Sequence, residues 1–196
     1  MADCFTLEES IIKAQDFLEK LFTLEDEKSV ISHSKRVALL AKKFAIYLEM
    51  EELVQTKLYL AGLIHDLGKY SIQIWKKDGA FTTKEKEKMN GHSQESVNLA
   101  YEKITTNFDV MMAIRDSHRF VSGNGGYPRL LREMTEMAQI LSICDAYDAM
   151  THRRTYQPIK TKIQALQELN DKQGTQFDPV MVQKFIEFNN ASFDGA

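Results

Sequence analysis

Apolar residues recur at i, i+3 and i+4 through most of the chain, and no stretch of alternating polar and apolar residues competes with that period, so the pattern predicts an all-α protein. Only three prolines interrupt it. A first amphipathic helix is expected near residues 7 to 22, with Ile11, Ile12, Phe17, Leu18 and Leu21. A second, from Ser29 to Tyr47, turns Val30, Val37, Leu40, Ala41 and Phe44 inward, and a third runs from Glu51 or Glu52 to Leu67. Asp78-Gly79 marks a turn. Thr82 or Thr83, with Glu85 or Glu87 behind it, has the composition of a helix start, and that helix carries His92 across a kink or break at Asn90-Gly91. Further helices are predicted from Phe108 to Arg119 and from Leu130 to Thr151, separated by a glycine-rich loop from Val121 to Pro128. Asp178-Pro179, a capping residue followed by proline at the first helical position, opens a terminal helix with Val180, Val182, Phe185 and Phe188. Internal repeats, linkers and low-complexity segments are absent.

Composition narrows the picture. The chain of 196 residues, 43% hydrophobic and 27% charged, can bury one substantial core and reads as a single globular domain. A net charge of −3 leaves no electrostatic footprint for duplex nucleic acid. The basic pair Lys76-Lys77 and the run from Lys84 to Lys88, broken by Glu85 and Glu87, fit a solvated helix face. Two cysteines, Cys4 and Cys144, are too few for a disulfide framework or a cysteine-based zinc site, which fits a reducing cytoplasm. Cys144 lies in an apolar run and is expected to be a small core residue. The first residues lack the basic and apolar regions of a signal peptide, and no apolar stretch reaches the length of a membrane span.

Against this background, one polar series needs a chemical reason. Leu58, Leu60, Ala61, Leu63 and Ile64 lead into His65-Asp66, and Leu67 follows, so an ionisable pair is set inside a buried stripe. Buried acids and histidines without partners are costly, and a metal ion accounts for them. Four of the five histidines join a common series, His33, His65, His92 and His118, together with Asp66 and Asp145. Imidazole and carboxylate suit divalent ions, and a carboxylate such as Asp66 can bridge two of them. Two ions roughly 3.5–4 Å apart can activate water and clamp a phosphoryl group. Lys69, after the tight Gly68 turn, is placed to bring an ammonium back to a phosphate oxygen or the leaving group. Asp148, one helical turn after Asp145, can orient a ligand histidine or the attacking water, or instead pair with Arg153 or Arg154. His152 is expected to face solvent.

The order and spacing of His33, His65-Asp66, His92, His118 and Asp145 resemble the HD superfamily of metal-dependent phosphohydrolases. Gly125-Gly126-Tyr127-Pro128, Asp145-Ala146-Tyr147-Asp148-Ala149-Met150-Thr151 with Arg154 and Tyr156, and Gly174-Thr175-Gln176-Phe177-Asp178-Pro179 resemble its HD-GYP branch, over about residues 28 to 190. The resemblance implies a helical domain with two or three iron or manganese ions that hydrolyses cyclic di-GMP or a related cyclic dinucleotide. It also implies that the six residues are the metal ligands, with Asp66 bridging, that Lys69 and Arg154 contact phosphate, and that the loop at Tyr127 shapes the substrate pocket.

Several positions depart from the family pattern. Arg119 stands where a second consecutive histidine is usual; it cannot ligate a metal and is expected to point toward substrate phosphate. Ser29 replaces the glutamate of three-metal members, which points to two ions. His92-Ser93-Gln94-Glu95-Ser96 keeps the ligand of a His-Pro-x-x-Gly motif and loses its turn residues, and Gln157 replaces a basic residue. These departures imply weaker binding of a cyclic dinucleotide or a changed substrate. The reading is therefore a metal-dependent phosphodiesterase in a domain from residue 29 to 196, preceded by a helical extension, residues 1–28, that caps the domain or meets a partner. A different HD-type nucleotide phosphohydrolase, or a nucleotide-binding module without turnover, stays open, as does homo-oligomerisation.

Overall fold

The computed structural model describes residues 5–23, 28–72, 81–128, 133–152 and 158–191, and the expectations for Cys4, Lys76-Lys77, Asp78-Gly79, Leu130, Arg153, Arg154, Tyr156 and Gln157 lie outside these. Helix α1 (Leu7–Leu21) starts at Thr6, whose hydroxyl accepts from the Glu9 amide while the Glu9 carboxylate accepts from the Thr6 amide. Its Ala14 and Leu18, with Phe22 just beyond, enter the same core as the rest of the fold. The central pair is α2 (Lys28–Tyr47) and α3 (Glu52–Ile64), the most extensively packed helices of the molecule. They approach closely because Gly62 has no side chain; a Cβ there would stand 2.5 Å from Ala38 Cα.

After α3 come a short α4 (Lys69–Ile72), then α5 (Thr83–Asn90), α6 (His92–Lys103), α7 (Phe108–Asp116), α8 (Glu136–Thr151), α9 (Lys162–Asp171) and α10 (Pro179–Ala191). Helices α2, α3, α7 and α8 form the layer around the site, α6 closes it from the α7 side, and α9 and α10 pack beyond α8. The core runs through Val37, Ala41, Phe44, Leu58, Leu63, Ile114, Ile140 and Phe185, each fully shielded, with Phe44 and Phe185 edge to face at 5.0 Å. The valine, leucine, isoleucine and phenylalanine side chains among them contribute about 1.5–3 kcal/mol each on burial, which is why the 3.6-residue pattern survives as helices. Cys144 is buried there as a thiol, as its apolar run implies.

Three element boundaries move from their expected places, and the break expected at Asn90-Gly91 is present. Helix α3 stops at Ile64, because Leu67 and Lys69 bond back three residues, to Ile64 and Asp66, and so make a turn. Gly91 separates α5 from α6, so His92 opens a new helix. Helix α7 ends at Asp116, where the Ser117 hydroxyl donates to the Ile114 carbonyl, and α8 starts at Glu136, capped by Thr135. Thr82 forms the expected capping box with Glu85, and the Asp178 carboxylate accepts from the Met181 amide at the start of α10. Val180 and Ile12 are exposed, since each falls on the outer side of its helix. Among the described residues no strand forms, and no helix is long and apolar enough to cross a membrane.

Candidate metal centre

Six side chains arrive at one point from five places in the fold. His33 comes from the second turn of α2, His65 and Asp66 from the turn after α3, His92 from the first position of α6, His118 from just past α7, and Asp145 from the middle of α8. Two sets of ligand atoms converge, His33 with His65 and Asp66, and Asp66 with His92 and His118. Asp66 belongs to both. Asp145 completes the ring, its carboxylate 3.0 Å from His33 Nε2, 3.7 Å from His65 Nε2 and 3.9 Å from His118 Nδ1.

The outward nitrogens explain how three imidazoles are aimed. His65 Nδ1 lies 2.9 Å from the Gly62 carbonyl, His92 Nδ1 2.7 Å from the Met89 carbonyl and His33 Nδ1 2.6 Å from Asp148 Oδ2. A carbonyl oxygen can only accept, so the Nδ1 of His65 and of His92 carries the proton and their Nε2 lone pairs face the centre; His33 sits between two carboxylates, and the shorter contact, to Asp148, places a proton on its Nδ1. Fixing the tautomer from behind in this way is how proteins prepare histidine for a metal. At the centre itself, His65 Nε2 and Asp66 Oδ1 are buried and make no hydrogen bond, their nearest ionisable neighbours standing at 3.5 Å and 3.3 Å. His92 Nε2 and His118 Nε2 are 3.0 Å apart. Two nitrogen ligands about 2.1 Å from one ion and at right angles around it are separated by about that distance. Orphaned atoms, paired lone pairs and a mixed imidazole–carboxylate donor set all fit divalent metal.

Charge is balanced tightly. Burial pushes the Asp66 carboxyl up, but the Lys69 ammonium, His65 and His92 outweigh it and hold the group well below the carboxylate range. Lys69 Nζ sits directly on Asp66 Oδ2. Asp145 is likewise held well below its usual value, the neighbouring His33 and His65 imidazoles overcoming burial. For His65 burial lowers the pKa, while Asp66 and Asp145 together raise it above the ordinary value. Burial, and then neighbouring His92, drive His118 down to about 3, although 21% of its side chain is exposed at the rim. The direction, toward the neutral and ligating form, is the chemically relevant point.

The glycine-rich loop delivers an aromatic wall. The Tyr127 amide bonds the His118 carbonyl at 3.0 Å, which lays the Tyr127 ring over the His118 imidazole with centroids 5.0 Å apart. This needs glycine at 126, where φ is +71° and a Cβ would lie 2.1 Å from the His118 carbonyl oxygen. The Val121 and Ser122 amides then bond the Gln176 and Thr175 carbonyls, so the Gly174–Pro179 segment braces the loop. Burial first, and then Asp66 and Asp145, raise the Tyr127 phenol above its usual value, so it stays a protonated donor at neutral pH.

Asp148 brings in a residue that spacing alone did not single out, while its alternative partners Arg153 and Arg154 lie outside the described residues. It meets His33, and its cation among the described residues is Arg36, whose Nε lies 2.7 Å from Oδ1 and whose Nη2 lies 2.9 Å from Oδ2. Arg36 sits three residues after His33 on one helix face, the signal that could have found it. His152 is largely exposed, as expected, yet its Nδ1 also reaches Asp148 Oδ1 at 3.0 Å. Ser96, at a position read as a lost turn residue, donates its hydroxyl to the His65 carbonyl at 2.7 Å and accepts from the Gly68 amide at 2.8 Å, clasping the His65–Gly68 turn. Arg119 is buried beside an acid of its own helix end. It is 4% exposed, with Nη1 3.2 Å from Asp116 Oδ2, on a fully buried carboxylate that Arg115 also holds. A buried acid demands a cation, and Asp116 takes two, Arg115 and Arg119. Arg154 lies outside the described residues.

Comparison with known proteins places this geometry. The HD domain family matches residues 8–181, and the chain belongs to that family. A cyclic di-GMP phosphodiesterase of Thermotoga maritima is 28% identical over 96% of this chain and 54% of its own length. A 3'3'-cGAMP-specific phosphodiesterase of Vibrio cholerae is 27% identical over 80% of this chain and 31% of its own length. The chain thus spans about half the length, or less, of the curated relatives it matches. Among solved structures, an HD-GYP-type protein from Bdellovibrio bacteriovorus superposes with a TM-score of 0.67 at 15% identity, over 94% of this chain and 65% of that one. Likeness at that identity concerns the fold.

Proposed function

We propose that the protein is a metal-dependent phosphodiesterase that hydrolyses a cyclic dinucleotide at a dinuclear centre. One observation carries the reading: Asp66 is shared by two converging ligand sets and keeps a buried oxygen with no hydrogen bond, beside an equally orphaned His65 Nε2. His33, His65 and Asp145 would hold one ion, His92 and His118 the other, and Asp66 both. Iron and manganese both suit this donor set. Divalent ions bound here would supply Lewis acidity toward a phosphoryl oxygen and activation of water.

The chain's own groups do the rest. Lys69 holds its ammonium at Asp66 Oδ2, within reach of a phosphate that enters above that carboxylate, where it neutralises charge developing on the oxygens. Tyr127, protonated and stacked on His118, forms a wall that a nucleobase can meet face on and donates from its hydroxyl to a phosphate oxygen. Asp148 keeps the His33 tautomer fixed, its role as an orienting group. Arg154 is assigned to phosphate on the family resemblance. The relatives in Thermotoga and Vibrio, named for cyclic di-GMP and 3'3'-cGAMP, support a cyclic dinucleotide as the substrate class.

The test is hydrolysis of a panel of cyclic dinucleotides, linear dinucleotides and nucleoside monophosphates by protein loaded anaerobically with iron or with manganese. We expect turnover of a cyclic dinucleotide that disappears in Asp66→Ala. Absence of turnover in every metal form would leave a nucleotide-binding module, and preference for a monophosphate would place the chain with other HD-type phosphohydrolases.

A further inference from the structure

We propose that Arg36 is a positioning residue for one of the two metal ions, acting through Asp148 on His33; the proposal rests on the dinuclear reading above. Helices α2 and α8 meet at this point as a ladder. His33 and Arg36 are one turn apart on α2, and Asp145 and Asp148 are one turn apart on α8. The two carboxylates of α8 take the two nitrogens of a single imidazole, Asp145 Oδ1 at 3.0 Å from Nε2 and Asp148 Oδ2 at 2.6 Å from Nδ1.

Among the described residues, the Arg36 fork grips both oxygens of the Asp148 carboxylate and so fixes its plane. Its Nε and Nη2 each take a different oxygen, at 2.7 and 2.9 Å, so the carboxylate can neither rotate about its last bond nor slide along α2. The Asp148 side chain is 3% exposed, while that of Arg36 is 36% exposed, so the fork approaches from the solvent side and holds the buried acid against the ring. His152 Nδ1, at 3.0 Å from Oδ1, adds a further donor on the outer side. Metal-ligand distances tolerate shifts of only about 0.2 Å, so the orientation of His33 is the quantity this chain of contacts controls. A lysine keeps the charge of Arg36 and cannot reproduce the planar two-point grip.

The geometry also says which ion depends on Arg36. His33 belongs to the set with His65 and Asp66, whereas His92 and His118 form the other set with Asp66. Loss of the fork should weaken one ion and spare the other, which a merely structural tie between α2 and α8 would not do.

The experiment is manganese binding to chelator-stripped protein, followed by equilibrium dialysis with metal analysis, for the wild type, Arg36→Lys, Asp148→Asn and the control Lys35→Gln, whose lysine pairs with Glu19 on the surface at 3.1 Å. Thermal melting of each stripped protein is recorded beside it. The wild type and the control are expected to bind two ions. Arg36→Lys is expected to keep one at wild-type affinity and to lose affinity for the other about 10–100-fold, with the stripped protein still melting cooperatively. Asp148→Asn, isosteric with the native residue, should show the same split and serves if Arg36→Lys does not fold. Two ions bound to Arg36→Lys and Asp148→Asn at wild-type affinity would overturn the proposal, as would equal weakening of both ions. A wild type that binds no manganese overturns the dinuclear reading itself and this inference with it.

Discussion

Asp66 and its immediate neighbours carry opposite demands on protons. The metal-free centre keeps Asp66 and Asp145 ionised against the pull of burial and draws His65 above the ordinary imidazole value, while His118 is driven down to about 3. An ion must displace the proton of His65, whereas His118 is already neutral at pH 6. Metal affinity should therefore rise with pH through the imidazole range and level off once the pH passes the raised value of His65, because protons compete only below it. Manganese titrations at a series of pH values check the slope. In the metal-free protein, nitrogen NMR of the imidazoles should find His118 neutral at pH 5 while His65 is protonated, and the reverse order would contradict the electrostatic account. Residue identity singled out in advance the side chains that converge, since a His-Asp pair inside an apolar stripe has few other uses. The partner of Arg119 was not legible: Asp116 becomes fully buried only when α7 packs, and it then claims the nearby guanidinium.

Two junctions between elements decide whether those residues meet. The turn from His65 to Gly68 is clasped by the Ser96 hydroxyl from α6, which accepts from one backbone amide and donates to one carbonyl. Ser96→Ala would leave both groups buried without that partner, and a loss of about 1–3 kcal/mol is expected in urea unfolding of the metal-free protein. Gly68 itself touches α6, since a Cβ would stand 2.1 Å from the His92 carbonyl oxygen. At the second junction, Gly62→Ala would drive a methyl group into the Ala38 backbone, 2.5 Å from Cα and 2.7 Å from N. Backbone cannot yield as a flexible side chain does, so the helices must separate, at about 1–3 kcal/mol, with an accompanying fall in metal affinity as His33 moves away from His65. Denaturant unfolding and manganese binding on the same variant test both halves. Most of the helices were legible from period and caps, but α4 and α9 were not read from the sequence. The break at Gly91, which makes His92 the first residue of α6, was signalled by Asn90-Gly91, but the stop at Ile64 follows from hydrogen bonds of the turn that no side-chain pattern records.

Across the whole molecule, the centre ties α2, α3, α6, α7 and α8 to one point, so ion binding is coupled to the stability of the entire bundle. Saturation to one hundred times the dissociation constant should stabilise the protein by about 2.7 kcal/mol per ion. For a chain of this size that corresponds to a rise in melting temperature of roughly 5–10 °C. Differential scanning calorimetry with manganese and with chelator measures it, and an unchanged melting temperature would argue against a bound ion. Helix α1 belongs to the same unit, because Ala14, Leu18 and Phe22 share the core of α2 and α3, and the HD family match begins within it, at residue 8. The all-helical class, the capping of α5 and α10, and the six ligand candidates were written in the order of residues, because periodicity, capping and donor chemistry are local properties. Which nitrogen of His33 faces inward, and which arginine meets Asp148 among the described residues, were decided only by packing, since each depends on distances between segments more than a hundred residues apart that no local pattern encodes.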